Sequence, residues 1–93
     1  MKWIKIQGDL INYNDIQAFA FYIDFYRGEV EIILKIKLKG SNSDINYTLF
    51  KEDFCKDRTH YYNLKIKYMK SIETQIKDIE LNNKYFYELE LNI

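Results

Sequence analysis

Cys55 and His60 carry the side chains of this sequence that are best suited to covalent catalysis. A thiolate nucleophile needs a nearby base and an electropositive, accessible pocket, and Lys56, Arg58 and His60 follow the cysteine closely. No glycine-rich loop for an oxyanion and no third residue to orient the imidazole accompany this pair in the sequence. The pattern therefore favours a loop that leads into a helix over a catalytic dyad.

The sequence lacks the residues that a metal site, a phosphate-binding loop or a glycosidase site would need. Zinc sites need three or four ligands at characteristic spacing, and no second cluster completes Cys55, Asp57 and His60. None of the three glycines lies in a GxGxxG or GxxxxGK[ST] motif. Glutamates are paired within 29–31 and 88–90 at strand spacing, where acids on a solvated face are ordinary. We expect no metal, no cofactor and no enzymatic activity.

Basic and aromatic side chains point to binding instead. Tyr and Trp beside Arg are the usual composition of an interface hot spot, whereas lysines beside tyrosines occur in single-strand nucleic-acid binders. Lysines also serve simply to solvate sheet faces and edges. The candidate partner-binding residues are Tyr22, Tyr26, Arg27, Lys35, Lys37, Lys39, Arg58, His60 and Tyr61. Their partner would be a larger protein or a ribonucleoprotein, and in the second case the same residues would also contact RNA.

The length and composition indicate one small folded domain that covers residues 1–93. The chain is 47% hydrophobic and 17% aromatic, more than a disordered chain carries. Fourteen basic and 14 acidic residues cancel, which argues against whole-surface binding to nucleic acid or membranes. The single cysteine excludes an intrachain disulfide. The opening residues lack the apolar run of a signal peptide or a membrane span, so we expect a cytoplasmic protein.

The central hairpin is the best-defined element that positions these residues. Apolar side chains alternate along 16–26 and along 29–39, and such sustained alternation is typical of strands. A two-residue turn at 27–28 pairs Phe25 with Val30 and puts both apolar sets on one face, which a one-residue slip would not. A type I′ turn requires a positive φ at the arginine, so a looser four-residue turn is the alternative.

Shorter strands flank this hairpin. Residues 4–11 predict a hairpin that turns at 8–9, because glycine in first position suits a type II′ turn, and this sets Ile6 opposite Ile11. Further strands are predicted at 45–50 and 84–91.

The second half of the chain predicts one amphipathic helix. Its apolar residues recur at intervals of three and four: Tyr62, Ile66, Met69, Ile72, Ile76 and Ile79. Thr59 is a suitable N-cap, and Asn82-Asn83 is a suitable left-handed end. Apolar residues also alternate near the start, so a strand at 61–69 followed by a shorter helix is the alternative.

Together these elements predict an α+β fold, in which one antiparallel sheet of five or six strands carries a single helix across its apolar face. If one helix covers that face, several large side chains on the opposite face should be exposed: Tyr22, Tyr26 and Ile33, with Phe86 and Trp3.

The opening W-I-K-I at 3–6, with L-I-N at 10–12 and Ile16, resembles small proteins of AT-rich bacteria and their phages. Those proteins carry no function that can be transferred to this chain.

The chain also looks like phage-encoded inhibitors of host defence, including anti-CRISPR proteins. The likeness lies in its size, its single-domain build and its abundance of Ile, Lys, Tyr and Asn. That class shares no motif, so no residue role is carried over. The resemblance implies a non-enzymatic inhibitor that occupies the surface of a nucleic-acid-processing defence complex. The alternative is a small RNA- or DNA-binding module that uses the lysine–tyrosine surface.

Overall fold

A computed structural model describes residues 2–82 and 84–92 of the chain. The described residues form six strands and one long helix: β1 (Trp3–Ile6), β2 (Asp9–Asn12), β3 (Ile16–Tyr26), β4 (Glu29–Leu38), β5 (Asp44–Asp53), α1 (Arg58–Leu81) and β6 (Phe86–Glu88). The fold is therefore α+β with its helix in the C-terminal half, as the sequence predicts. No helix in these ranges is both long and apolar enough to cross a membrane.

The strands form two three-stranded sheets, so the predicted single sheet of five or six strands is wrong. The large sheet has the order β3-β4-β5, and the small sheet has the order β2-β1-β6. β6 pairs with β1 in parallel, whereas the other pairings are antiparallel. The apolar face of the ten-residue strands is larger than one helix can cover. Ile4 and Ile6 of the small sheet therefore pack against it, next to Leu34 and Ile36.

The central hairpin forms as predicted. Phe25 pairs with Val30 and Ile23 pairs with Ile32, in a register that continues as far as Ala18 and Lys37, beyond which a bulge shifts the start of β3. Arg27 and Gly28 adopt φ values of +52° and +74°, as a type I′ turn requires. The twist of this turn matches that of the strands, which explains why an arginine occupies the left-handed region.

The first hairpin turns one residue earlier than predicted. Its turn consists of Gln7 and Gly8, both with positive φ, and Ile4 rather than Ile6 lies opposite Ile11. A type I′ turn with glycine in second position replaces the predicted II′ turn. Because parity is unchanged, the three isoleucines still share the buried face.

Helix α1 includes the segment 61–69, so the alternative strand there is wrong. Its N-cap is Asp57 rather than Thr59, because the Asp57 carboxylate accepts the His60 backbone N–H at 2.9 Å. The helix ends at Leu81, and its C-cap Asn82 has extended rather than left-handed backbone. Asn83 lies outside the described residues. The buried positions are Tyr61, Tyr68, Ile72 and Ile79.

The buried stripe of α1 departs from the predicted one in the first half of the helix. Tyr61 and Tyr68 face the core there, while Tyr62 and Ile66 are exposed. Adjacent residues point about 100° apart on a helix of about 3.6 residues per turn, so a stripe that includes Tyr61 rather than Tyr62 means that the start of α1 is rotated relative to the predicted face. The predicted positions become correct again at Ile72.

The predicted final strand, 84–91, is shorter in the structure. Only Phe86–Glu88 pairs with β1, although Leu89 and Leu91 continue into the core. Tyr85, predicted to face inward, is instead 75% exposed.

The molecule is elongated, with extents of 43 × 27 × 19 Å, and its two ends differ. At one end, which we call the base, the small sheet and the C-terminal half of α1 pack on the large sheet. The Lys2 ammonium donates to the Ile79 carbonyl at 2.6 Å, and Gln75 exchanges two hydrogen bonds with the Glu90 backbone. The opposite end, the tip, contains the turn between β3 and β4 and the start of α1.

Candidate functional site

The tip brings together six side chains from three parts of the chain. The β3–β4 turn presents the end of β3, the segment after β5 contributes one aromatic ring, and the first turns of α1 contribute the rest. We call this set the tip patch: Phe25, Tyr26, Arg27, Phe54, Arg58 and Tyr62. Its segments are held together by the backbone N–H of Phe54, which donates to the Gly28 carbonyl at 2.7 Å.

Contacts between aromatic rings order the tip patch. Phe25 lies at its centre, with the Phe54 ring 5.5 Å away and the Tyr62 ring 6.2 Å away, both edge-on. The Arg58 guanidinium lies 4.5 Å from the centre of the Phe25 ring, and the Arg27 guanidinium lies 5.1 Å from that of Tyr26. Both distances are within the range of a cation–π interaction. The arginines are therefore held in place without a carboxylate.

A pocket of about 150 Å³ opens within this patch. It is lined by the aromatic residues Phe25, Tyr26 and Phe54 and by both arginines. Glu29 also lines it, but the Glu29 carboxylate lies 3.8 Å from the Lys51 ammonium. The pocket thus combines apolar walls with two guanidinium groups.

Tyr61, which the sequence placed among the binding residues, belongs to the core instead. It is 0% exposed, beneath the tip patch and against Phe25 and Phe50. Its hydroxyl accepts the Cys55 backbone N–H at 3.2 Å and donates to the Asp53 carbonyl at 3.4 Å. Burial raises the pKa of the Tyr61 phenol, so it remains a neutral hydrogen-bonding group. Tyr61 therefore supports the patch from below, and its side chain is not part of the exposed surface.

Cys55 and His60 do not form a nucleophile–base pair. The Cys55 Sγ lies 3.5 Å from a Glu52 carboxylate oxygen and 3.7 Å from the Tyr61 hydroxyl. The His60 ring packs edge-on against the Tyr61 ring at 5.3 Å. Within residues 2–82 and 84–92, no group of three His, Cys, Asp or Glu residues is arranged to hold a metal ion.

The predicted lysines lie elsewhere. The Lys35 ammonium lies 4.9 Å from the centre of the Tyr22 ring and 3.9 Å from the Asp44 carboxylate, on the outer face of the large sheet. Lys37 is exposed on the same face, opposite Asp44 in the strand register. Lys39 lines a separate cleft of about 340 Å³ at the base, together with Glu80. Acids accompany these lysines, so no continuous basic surface forms from them.

The predicted residues therefore separate into groups. Tyr26, Arg27 and Arg58 meet in the tip patch, and His60 is exposed in the first turn of α1. Tyr22 and two of the lysines share the outer face, on which Ile33 is half-buried. Trp3 is also half-buried, whereas Phe86 is exposed, as predicted.

Phe54 is not among the candidate residues that the sequence suggests, and the sequence assigns Tyr62 to the buried stripe of α1. The signal for Phe54 was a single aromatic residue in an otherwise polar segment directly before a helix cap. No comparable local signal marks Tyr62, because its exposure depends on how α1 rotates against the sheet.

Comparison with known proteins adds no relationship: no protein-family model, no curated protein and no solved structure matches this chain. The tip patch is therefore interpreted from its own geometry and chemistry.

Proposed function

We propose that this domain is a non-enzymatic binding protein that uses the tip patch to occupy a surface of a larger protein or ribonucleoprotein. The observation that carries the proposal is the exposure of aromatic rings beside two arginines. Tyr26 is 63% exposed, Tyr62 46% and Phe54 43%. Tyr and Arg are enriched among residues that contribute most of the free energy of binding at interfaces.

The order within the patch supports the same role. A side chain that is already held in place loses less conformational freedom on binding than a mobile one. Here each arginine stacks on a ring, and Phe54 is tied to the Gly28 carbonyl through its backbone. Binding to a partner would bury these rings with little reorganisation.

The partner that we propose is a nucleic-acid-processing defence complex of a host cell, which the domain would inhibit in the cytoplasm. This part of the proposal comes from the chain's small size, its AT-rich residue usage and its lack of a catalytic motif. The tip patch could inhibit such a complex by covering part of its surface, because steric blocking requires no catalysed reaction.

The proposal is tested by capture from host lysate with wild-type protein and the variants Tyr26→Ala and Phe54→Ala. Loss of a central aromatic anchor should weaken binding about thirtyfold or more, so the captured complex should disappear from the eluate. Tyr85→Ala is the matched control, because it removes another well-exposed tyrosine that is outside the patch. This control should capture the complex as the wild type does.

A salt titration separates the proposal from its alternative, a nucleic-acid module. A nucleic-acid module that makes about six to ten phosphate contacts loses about 10³–10⁵ in affinity between about 50 mM and about 200 mM salt, and fewer contacts give a smaller loss. An interface anchored by aromatic rings should persist. Retention of the complex in both tip variants would overturn the proposal. A loss of binding at the higher salt concentration, with nucleic acid as the main captured material, would also overturn it.

A further inference from the structure

We infer that the pocket of the tip patch binds a carboxylate that adjoins an aromatic side chain, so that the surface recognised on the partner is a short acidic–aromatic segment. The inference rests on the proposed function and gives it a ligand chemistry. It follows from the pocket's volume, from the unpaired guanidinium groups and from the acids around the tip.

The volume of the pocket suits one aromatic ring. A cavity of the order of 150 Å³ accommodates benzene in other proteins, and this pocket measures about 150 Å³. Phe25, Tyr26 and Phe54 supply ring faces and edges for an inserted ring to contact. A ring that enters here would displace water from apolar surface.

The two arginines supply the charge that a carboxylate needs. A guanidinium has five N–H donors in a planar fork that matches a carboxylate. The ion pairs of the described residues are Lys35–Asp44 and Lys51–Glu29, and neither includes an arginine. Near the tip, the side-chain hydrogen bonds of the described residues connect Cys55, Asp57 and Tyr61 to their neighbours and use no arginine N–H. The donors of Arg27 and Arg58 are therefore available to a ligand while Tyr26 and Phe25 contact the guanidinium groups.

The acids around the tip favour a single carboxylate over a polyanion. Tyr26 and Glu29 also line a neighbouring cleft that contains Asp24 and Glu31, with Lys51 as its cation. A nucleic-acid strand, with one charge per nucleotide, would bring phosphates against these carboxylates. One carboxylate on a protein segment meets the arginines without that repulsion.

N-Acetylphenylalanine is a suitable probe, because it joins one ring to one carboxylate. Added to the ¹⁵N-labelled full chain, it should produce saturable shifts in the backbone signals of Arg27, Gly28, Glu29 and Phe54. N-Acetylphenylalaninamide keeps the ring and removes the charge, so its affinity should be about three- to fivefold lower. Phenyl phosphate tests whether the pocket prefers a phosphate.

The variant Arg58→Lys keeps the positive charge and removes the planar fork, so N-acetylphenylalanine should bind about three- to fivefold more weakly. Lys56→Ala is the control, because it removes a nearby cation that does not line the pocket, and it should bind the probe as the wild type does.

Equal affinities for the acid and the amide, or no saturable shift, would overturn the inference. Binding of phenyl phosphate on the order of tenfold tighter than the acid would also overturn it, in favour of a phosphate ligand. If capture depends on Tyr26 and Phe54 while the probe fails to bind, only this inference fails. If both fail, the proposed function fails with it.

Discussion

The base and the tip of this molecule are built from different residues and are held together in different ways. The base core is mainly aliphatic, and small-sheet residues such as Ile4 and Ile6 meet Leu34, Ile36 and Ile72 there. The tip is aromatic, and much of its ring surface remains in water. Burial of apolar surface stabilises the base, whereas the tip leaves that surface available for a partner.

The difference originates in how far the small sheet reaches. It contacts the C-terminal half of α1, where Tyr87 donates to the Asp78 carboxylate at 2.7 Å and Lys2 donates to the Ile79 carbonyl. The N-terminal half of α1 rests on the large sheet without that second layer, so Tyr62 and Ile66 stay exposed. One helix therefore contributes to the core at one end and exposes large side chains at the other.

The largest expected effect comes from a cavity in the base. Ile72→Ala removes a fully buried side chain and should lower the free energy of unfolding by about 2–5 kcal/mol. Tyr26→Ala at the tip should change it by less than about 1 kcal/mol, because that side chain is mostly exposed. Urea denaturation followed by circular dichroism measures both. Similar losses in the two variants would contradict the division between base and tip.

A smaller effect is expected at the turn that shapes the tip. Gly28 has φ +74°, and no atom lies within 4 Å of the position that a Cβ would occupy. Gly28→Ala should therefore destabilise the fold by about 1 kcal/mol through backbone strain alone. Gly28→Asn should lose less, since asparagine tolerates the left-handed region. A loss well above this value, by urea denaturation, would mean that the tip contributes more to stability than its exposure indicates.

The smallest effect is a pH dependence at the base. Burial, together with the hydrogen bond and charge of Glu80, raises the pKa of Tyr13 from 10.0 to about 12. Between these values the unfolded chain loses the phenolic proton and the folded chain keeps it, so stability should fall as pH rises through this window. Below pH 10 the contribution is fully present.

Tyr13→Phe should make the decrease in unfolding free energy from pH 10 to 12 less steep than in the wild type. Glu80→Gln, which keeps an acceptor but removes the charge, should have a smaller effect in the same direction. Melting temperatures across this pH range measure both variants. Identical slopes in the wild type and Tyr13→Phe would show that folding does not raise the pKa of Tyr13.

The site was partly predictable from residue types. Tyr26, Arg27 and Arg58 are candidates by residue type, because Tyr and Arg are enriched in interface hot spots, and the structure places them together. Their meeting could not be predicted, since it depends on the path of the chain between β5 and α1. Tyr61 and Tyr62 are adjacent and chemically identical, so only the rotation of α1 against the sheet decides which is buried.

The amino-acid sequence alone determined the central hairpin. Apolar residues alternate along both strands around a glycine-containing turn, and only registers that differ by an even number of residues keep both apolar sets on one face. The sequence also determined that a helix follows, because a long apolar stripe at helical spacing outweighs a short alternation. Tertiary structure alone decided that β1, β2 and β6 form a second sheet and that the aromatic end of α1 stays uncovered. Both depend on how much apolar surface the long strands present and how far short strands extend over it, which are properties of the packed layers rather than of any one segment.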